Sequence, residues 1–419
     1  MDLSAVKKVY CIGIGGIGVS AVARWARHEE KEVSGSDLVE STLTQMLQKE
    51  GIEVVIGHDT KNVPDDADLV VYTPAADKDH VEREAAKKKK IPQISYPEFL
   101  GLLSETKFTI AVTGTHGKST TTALIGLMLQ EAGFDPTVFV GSLVPQLEHG
   151  NVRVGHSNFL VVEACEHQGN MRLINPNIAV VTSVEPDHLD FYQDLNHEIT
   201  AYQEFVDRLP DDGLLVTYAE DSGCQKLRYK GKHVTYGYEN TADVYYSGYE
   251  YKGGLSQFHT HFSVQGHPQT YEQKLGVPGA FNILNGLAAG IAAYEVGVPG
   301  SVVSHAAETF RGIWRRFEKV GEYNEAIIYS DYGHHPTEVR ETMKMVRELY
   351  PDHRVVLVYQ PHQHNRTKNL FKEFVDVLSV ARMDVLVMNG IYDVAGREED
   401  EDQDVSALKL LGEINKRIS

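Results

Sequence analysis

The sequence predicts an α/β protein built as three successive units. Two glycine loops each stand between an apolar, β-rich run and a helix-forming stretch. Strand-like and helix-like segments alternate along most of the chain, the pattern of parallel sheets with sites at the carboxyl ends of their strands. A length of 419 residues also exceeds what one ordinary core accommodates.

The first unit spans 1–105. Residues 7–12 read as a buried strand, Gly13-Ile14-Gly15-Gly16-Ile17-Gly18 as the loop, and 19–27 as a helix. This is a G-x-G-x-x-G match in a βα setting, with Asp37 further on at the place that suits a ribose hydroxyl. A plain tight turn is the alternative. Short strands at 54–56 and 68–72 and a helix at 82–90 complete a Rossmann-like unit.

The second unit, 106–322, opens with a strand at 107–113, then Gly114-Thr115-His116-Gly117-Lys118-Ser119 and a helix over 120–132. That order is the P-loop context of an ATPase domain: backbone N–H groups and a helix N-terminus for phosphate, Lys118 for the β- and γ-phosphates, Ser119 for Mg²⁺. The loop is short, because Val112 stands where its first glycine is expected. Strands at 158–163, 177–184 and 213–218 follow; Glu163 and His188 fall at or just after two of them. Ser119 and Glu163 suffice for one Mg²⁺, and His188 would be a softer ligand for a second ion. Residues 232–275 alternate with period two, predicting a small antiparallel insertion. Asn282 and Asn285 share a helix face (283–295) and suit an adenine edge or a helix cap. Arg315 and Arg316 are placed to reach phosphate, or to form an exposed ion pair.

The third unit, 323–419, repeats the βα pattern with strands at 326–330, 354–360 and 384–388 and helices at 337–349, 368–378 and 406–418, a Rossmann-like arrangement. His334, His362 and Arg366 follow its strands, and the guanidinium suits a substrate carboxylate or solvent. The acidic run 398–402 reads as a loop.

Composition narrows the function. Hydrophobic residues at 42% with 24% charged describe a soluble globular chain. A net charge of −19 argues against nucleic acid or an anionic membrane as partner, though not against a bound nucleotide. Three cysteines without metal or disulfide spacing fit a reducing cytosol. No signal-peptide core or membrane-length apolar run is evident, so the expected location is cytoplasmic. The first loop alone would favour an NAD-dependent oxidoreductase, but such an enzyme has no use for a second, lysine-bearing loop.

Together, GIGGIG, VSGSDL, AVTGTHGKSTTTALIG, VEACE, SVEPDHLDFY, FNILNGLAA, WRRF, DYGHHPTEVR and YQPHQHNRT resemble the Mur ligases along nearly the whole chain, and the short P-loop is that family's own form. The resemblance implies a three-domain cytoplasmic enzyme of peptidoglycan synthesis, monomeric or weakly dimeric. It would use ATP and Mg²⁺ to join L-alanine to the lactyl carboxylate of UDP-N-acetylmuramate through an acyl phosphate. It assigns Gly15, Gly16, Ile17, Gly18, Ser36 and Asp37 to the UDP-sugar. It assigns Gly114, Thr115, His116, Gly117, Lys118, Ser119, Thr120, Asn282, Asn285, Arg315 and Asp331 to ATP. Ser119, Glu163 and His188 would serve the metal, and His334, His362 and Arg366 the amino acid. Lys118, Glu163, His188, Arg315 and His334 would carry the catalysis. Three departures stand out: Cys165 replaces an acid, Phe281 a histidine and Gln363 an arginine. A recycled tripeptide or another amino acid therefore stays open as acceptor, as does a non-catalytic nucleotide sensor. The family's third domain normally runs further, so the expectation is a truncated chain or a small third unit.

Overall fold

The computed structural model describes residues 1–189, 191–393 and 404–418; the acidic run at 398–402 lies outside them. In the first unit five parallel strands, β1 (Lys8–Ile12), β2 (Glu32–Asp37), β3 (Glu53–Ile56), β4 (Leu69–Tyr72) and β5 (Gln93–Ser95), order as β3-β2-β1-β4-β5. This is the Rossmann-type order, with its crevice between β1 and β4. Helices α1 (Ile17–His28), α2 (Thr42–Lys49), α3 (Val81–Lys88) and α4 (Tyr96–Ser104) connect and follow the strands. Ser95 and Glu98 form a capping box that starts α4, and its apolar face carries Phe99, Leu100 and Leu103 into the interior.

The second unit holds one ten-stranded sheet. Its strands are β6 (Phe108–Thr113), β7 (Thr137–Phe139), β8 (Val152–Arg153), β9 (Phe159–Glu163), β10 (Ile178–Val181), β11 (Leu214–Tyr218), β12 (Lys232–Gly237), β13 (Val244–Lys252), β14 (Leu255–Val264) and β15 (His267–Leu275). The spatial order is β15-β14-β13-β12-β11-β10-β6-β9-β7-β8. The predicted antiparallel insertion is thus not a separate piece. Strand β12 pairs parallel to β11, β13 joins β12 in parallel, and β14 and β15 continue the same sheet as an antiparallel meander. Period-two alternation marks a half-exposed strand and is blind to which sheet the strand joins. Helices α5 (Lys118–Glu131), α6 (Leu195–Val206), α7 (Ala280–Glu295) and α8 (Gly300–Thr309) belong to this unit.

The third unit departs further from expectation. Strands β16 (Glu318–Tyr323) and β17 (Ala326–Ser330) form an antiparallel hairpin, while β18 (Val356–Tyr359) and β19 (Val385–Met388) form a separate parallel pair. Asn324 and Glu325 both adopt positive φ, the two-residue turn whose twist suits a hairpin, and this commits β17 to β16. Around them lie α9 (Pro336–Leu349), α10 (His364–Asn369), α11 (Phe371–Val380) and α12 (Ala407–Ile418).

Candidate functional site

Strand β6 runs straight into the glycine loop, and α5 begins at its lysine. Gly114 (φ +133°) and Gly117 (φ +77°) hold backbone conformations that disfavour a side chain, and neither has room for one. A Cβ on Gly114 would lie 2.1 Å from Thr182 Oγ1, and one on Gly117 would lie 2.2 Å from Asn285 Oδ1. The loop is laced to the chain after β10: Thr115 N–H donates to the Ser183 carbonyl (2.9 Å) and His116 N–H to Ser183 Oγ (3.0 Å).

Lys118 folds over this loop. Its Nζ lies 3.0 Å from Glu166 Oε1 and 2.9 Å from Oε2 and also donates to the Gly114 carbonyl. Burial alone would lower the lysine's pKa, but Glu166 outweighs it and the group is raised. For Glu166 burial pushes upward, and Lys118 and His188 overcome it, holding the carboxyl down at about 2.

Glu166, Asp187 and His188 bring ligand atoms within 4.8 Å of one another. His188 Nε2 is 3.4 Å from Glu166 Oε1 and 3.8 Å from Asp187 Oδ2. Glu163 does not join this group; its Oε2 accepts the Gly141 N–H at 2.7 Å. Sequence reasoning missed Glu166 and Asp187. The available signals were the second acid of VEACE and the acid directly before His188. Glu163, Glu166 and Ser119, the last on the first turn of α5, carry hard oxygen donors, the ligand chemistry that suits Mg²⁺.

The third unit closes on this region through polar contacts. Arg366 makes a bidentate pair with Asp187, Nε to Oδ1 at 2.9 Å and an Nη to Oδ2 at 3.2 Å, and also donates to Gln363 Oε1. Tyr332 Oη lies 3.2 Å from His362 Nε2, and the rings of His334 and His362 are 5.7 Å apart. Thr337 Oγ1 donates to Glu185 Oε2 at 2.7 Å. The three sequence-predicted residues His334, His362 and Arg366 are therefore brought together. Glu338 and Glu185 are further residues that sequence reasoning missed. Glu338 Oε1 accepts from Arg316 (2.9 Å) and lies 3.3 Å from His116 Nδ1. Burial would lower His116, yet Glu185 and Glu338 push it up to about 9.

A cavity of about 1270 Å³ reaches all three units; its walls include Met46, His116, Asn285, Arg316, Asp331 and Glu338. Arg316, rather than the expected Arg315, lines it. Arg315 is exposed, with positive φ, and its guanidinium lies over Trp314 and Tyr332. Asp331 accepts from the Phe317 and Gly333 N–H groups. Asn282 and Asn285 turn partly on each other: Asn285 Nδ2 donates to Asn282 Oδ1 at 3.3 Å, and Thr121 Oγ1 approaches Asn285 Oδ1 at 3.4 Å. In the first unit Asp37 Oδ2 accepts the Gly15 N–H at 2.8 Å, tying the loop to the end of β2, and the neighbouring Ser36 hydroxyl donates to buried Glu82.

Two glycine loops between strand and helix, an acid–histidine cluster beside a half-buried lysine, and a third unit docked over them define a multidomain nucleotide-dependent ligase fold. Three family models match in succession: "Mur ligase family, catalytic domain" over 8–108, "Mur ligase middle domain" over 112–293 and "Mur ligase, glutamate ligase domain" over 315–417. The chain belongs to the Mur ligase family. It is 38% identical over 414 residues to a UDP-N-acetylmuramate–L-alanine ligase of Geobacter sulfurreducens, covering 98% of this chain and 87% of the relative. It is 40% identical to the same-named protein of Sorangium cellulosum, covering 92% of this chain and 82% of that one. The crystal structure of UDP-N-acetylmuramate-alanine ligase MurC from Thermotoga maritima superposes with a TM-score of 0.76 at 27% identity, covering 98% of each chain. Among the described residues no helix is long and apolar enough to cross a membrane.

Proposed function

We propose that this chain uses ATP to join L-alanine to the lactyl carboxylate of UDP-N-acetylmuramate, a cytoplasmic step of peptidoglycan synthesis. The observation that carries the reading is the chain of contacts from Lys118 through the Glu166–Asp187–His188 cluster to Arg366, His362 and His334 of the third unit. A carboxylate is a poor electrophile; transfer of the γ-phosphoryl group to it creates an acyl phosphate with a good leaving group, which the amine of L-alanine then attacks. Lys118 is the residue for the transferring phosphate, released from Glu166 when polyphosphate arrives. Mg²⁺, held by Ser119, Glu163 and His188 with Glu166 in reach, would neutralise phosphate charge. Arg316, paired with Glu338 on the cavity wall, is better placed than Arg315 to face phosphate. The first loop and Asp37 would take the UDP-sugar, and His334, His362 and Arg366 would border the amino acid, with Arg366 fixed by Asp187. Because these groups come from three units, closure assembles the site and keeps water from the acyl phosphate. We assign the active form as a monomer or weak dimer.

The test is phosphate release with ATP, Mg²⁺ and UDP-N-acetylmuramate against each amino acid and the cell-wall tripeptide. Release that requires both the sugar nucleotide and L-alanine supports the reading. Dependence on the tripeptide reassigns the acceptor, and binding of both nucleotides without release with any acceptor makes the chain a sensor.

A further inference from the structure

Glu338 is the third residue of α9, and its carboxylate is divided between two tasks. Oε2 serves its own helix, accepting the N–H groups of His334 (2.9 Å) and His335 (3.4 Å), and lies 3.1 Å from His334 Nδ1. His335 completes the reciprocal cap by accepting the Thr337 N–H. A helix cap needs no more than this. Oε1 instead faces out of the unit, taking Arg316 at 2.9 Å and His116 Nδ1, in the glycine loop, at 3.3 Å. The side chain is 9% exposed, so these charge-assisted bonds lie largely out of water. Burial would raise this carboxyl, but His334 and Arg316 hold it well below the usual range, so it stays an acceptor for both sets of donors.

We propose that Glu338 is a positioning residue that couples the ATP loop to the acceptor site, one carboxylate gripping His116 on one side and the backbone and ring of His334 on the other. A nucleotide that settles His116 thereby settles the start of α9, and with it His334. The reverse holds equally, since coupling free energy is reciprocal. The inference rests on the roles assigned above to the glycine loop and to His334.

The experiment measures the affinity of L-alanine by calorimetry in the presence of UDP-N-acetylmuramate and Mg²⁺, with and without a non-hydrolysable ATP analogue. In the parent protein the analogue is expected to tighten L-alanine by about tenfold. In Glu338→Gln the amide oxygen still caps α9, but the charge shared with His116 and Arg316 is gone. The enhancement should fall to about onefold, while the analogue's own affinity changes less than about threefold and the thermal midpoint holds within a few degrees. His116→Asn removes the other end of the contact and should abolish the same enhancement, with the double variant no worse than either single one. It also carries the test if Glu338→Gln fails to fold. Persistence of the enhancement in either variant overturns the proposal, as does its absence from the parent. Phosphate release by the parent is scored separately, so failure of the ligase reading and failure of the coupling give different results.

Discussion

The first and second units share an apolar core, with Arg24 and Asn151 hydrogen-bonded across its edge, whereas the second and third meet chiefly through charge. Phe99, Leu100 and Leu103 of α4 belong to the same buried cluster as Phe139, Leu160 and Tyr202 of the central sheet and its helices. The Phe99 ring lies 5.0 Å from Trp25 and 6.2 Å from Phe139, bridging the two units. At the other seam the contacts are Arg366 with Asp187, Thr337 with Glu185 and Glu338 with His116, while the third unit keeps a small core of its own. Apolar burial is non-directional and is lost wholesale when surfaces part; polar groups exchange partners with water at modest net cost. The apolar seam is therefore the costlier to part, and the polar seam the cheaper.

The largest expected effect tests the site that the polar seam covers. Lys118→Ala should lower phosphate release by about 10³-fold, because the cation proposed for the transferring phosphate is removed. Phe99→Ala, at a side chain only 1% exposed, should cost about 3–5 kcal/mol in urea unfolding. Loss of the first and second units in one transition would show that they share a core in solution. Asp187→Asn breaks the polar seam instead. Opening of that seam hydrates the stranded Arg366, so unfolding should change by only about 1 kcal/mol. The acceptor KM should rise at least tenfold; a fall in stability as large as that of Phe99→Ala would erase the distinction between the seams.

A pH dependence sharpens it further. Glu198 is fully buried beneath the polar seam, and burial is the main cause that pushes its carboxyl up to about 8; Oε2 meanwhile accepts the Asp187 N–H. The unfolded chain releases this proton near 4.5 and the folded chain holds it until about pH 8. Its stabilising contribution is therefore complete below 4.5 and lost as pH rises through about 8. Glu198→Gln should flatten that decline and gain about 2 kcal/mol over the parent at pH 9, by denaturant titration at pH 6 and 9. The smallest effect belongs to Cys165→Asp. The side chain is exposed and Glu163 and Glu166 flank it, so activity should stay within about a factor of two.

Much of this was legible in the chain. Local signals, a strand running into glycines and then a helix, placed both loops and the starts of α1 and α5 within a few residues. The same signals found His334, His362 and Arg366, which the fold brings together. Long-range pairing was not legible. Nothing local says that β13–β15 extend the central sheet, or that the Asn324–Glu325 turn holds β17 to β16. Glu166, Asp187, Glu185 and Glu338 escaped for a related reason: an acid in a loop or at a helix start looks like solvated surface until its partner arrives from elsewhere. Arg315 and Arg316 show the limit most simply. Adjacent and chemically alike in sequence, they are separated by a positive φ at Arg315 that sends one to the surface and the other to the cleft wall.

The contact between Lys118 and Glu166 also gives the glycine loop a resident counter-anion. On the proposed reading, anion entry there would be an ion exchange rather than a simple capture, because a carboxylate is already in place. Charge number would then act as a sieve: a triphosphate should displace Glu166 readily, a diphosphate less so, and inorganic phosphate hardly at all. Competition against a fluorescent nucleotide should follow that order in the parent protein and level out in Glu166→Gln. An equal ranking in both would leave Glu166 without a part in the selection.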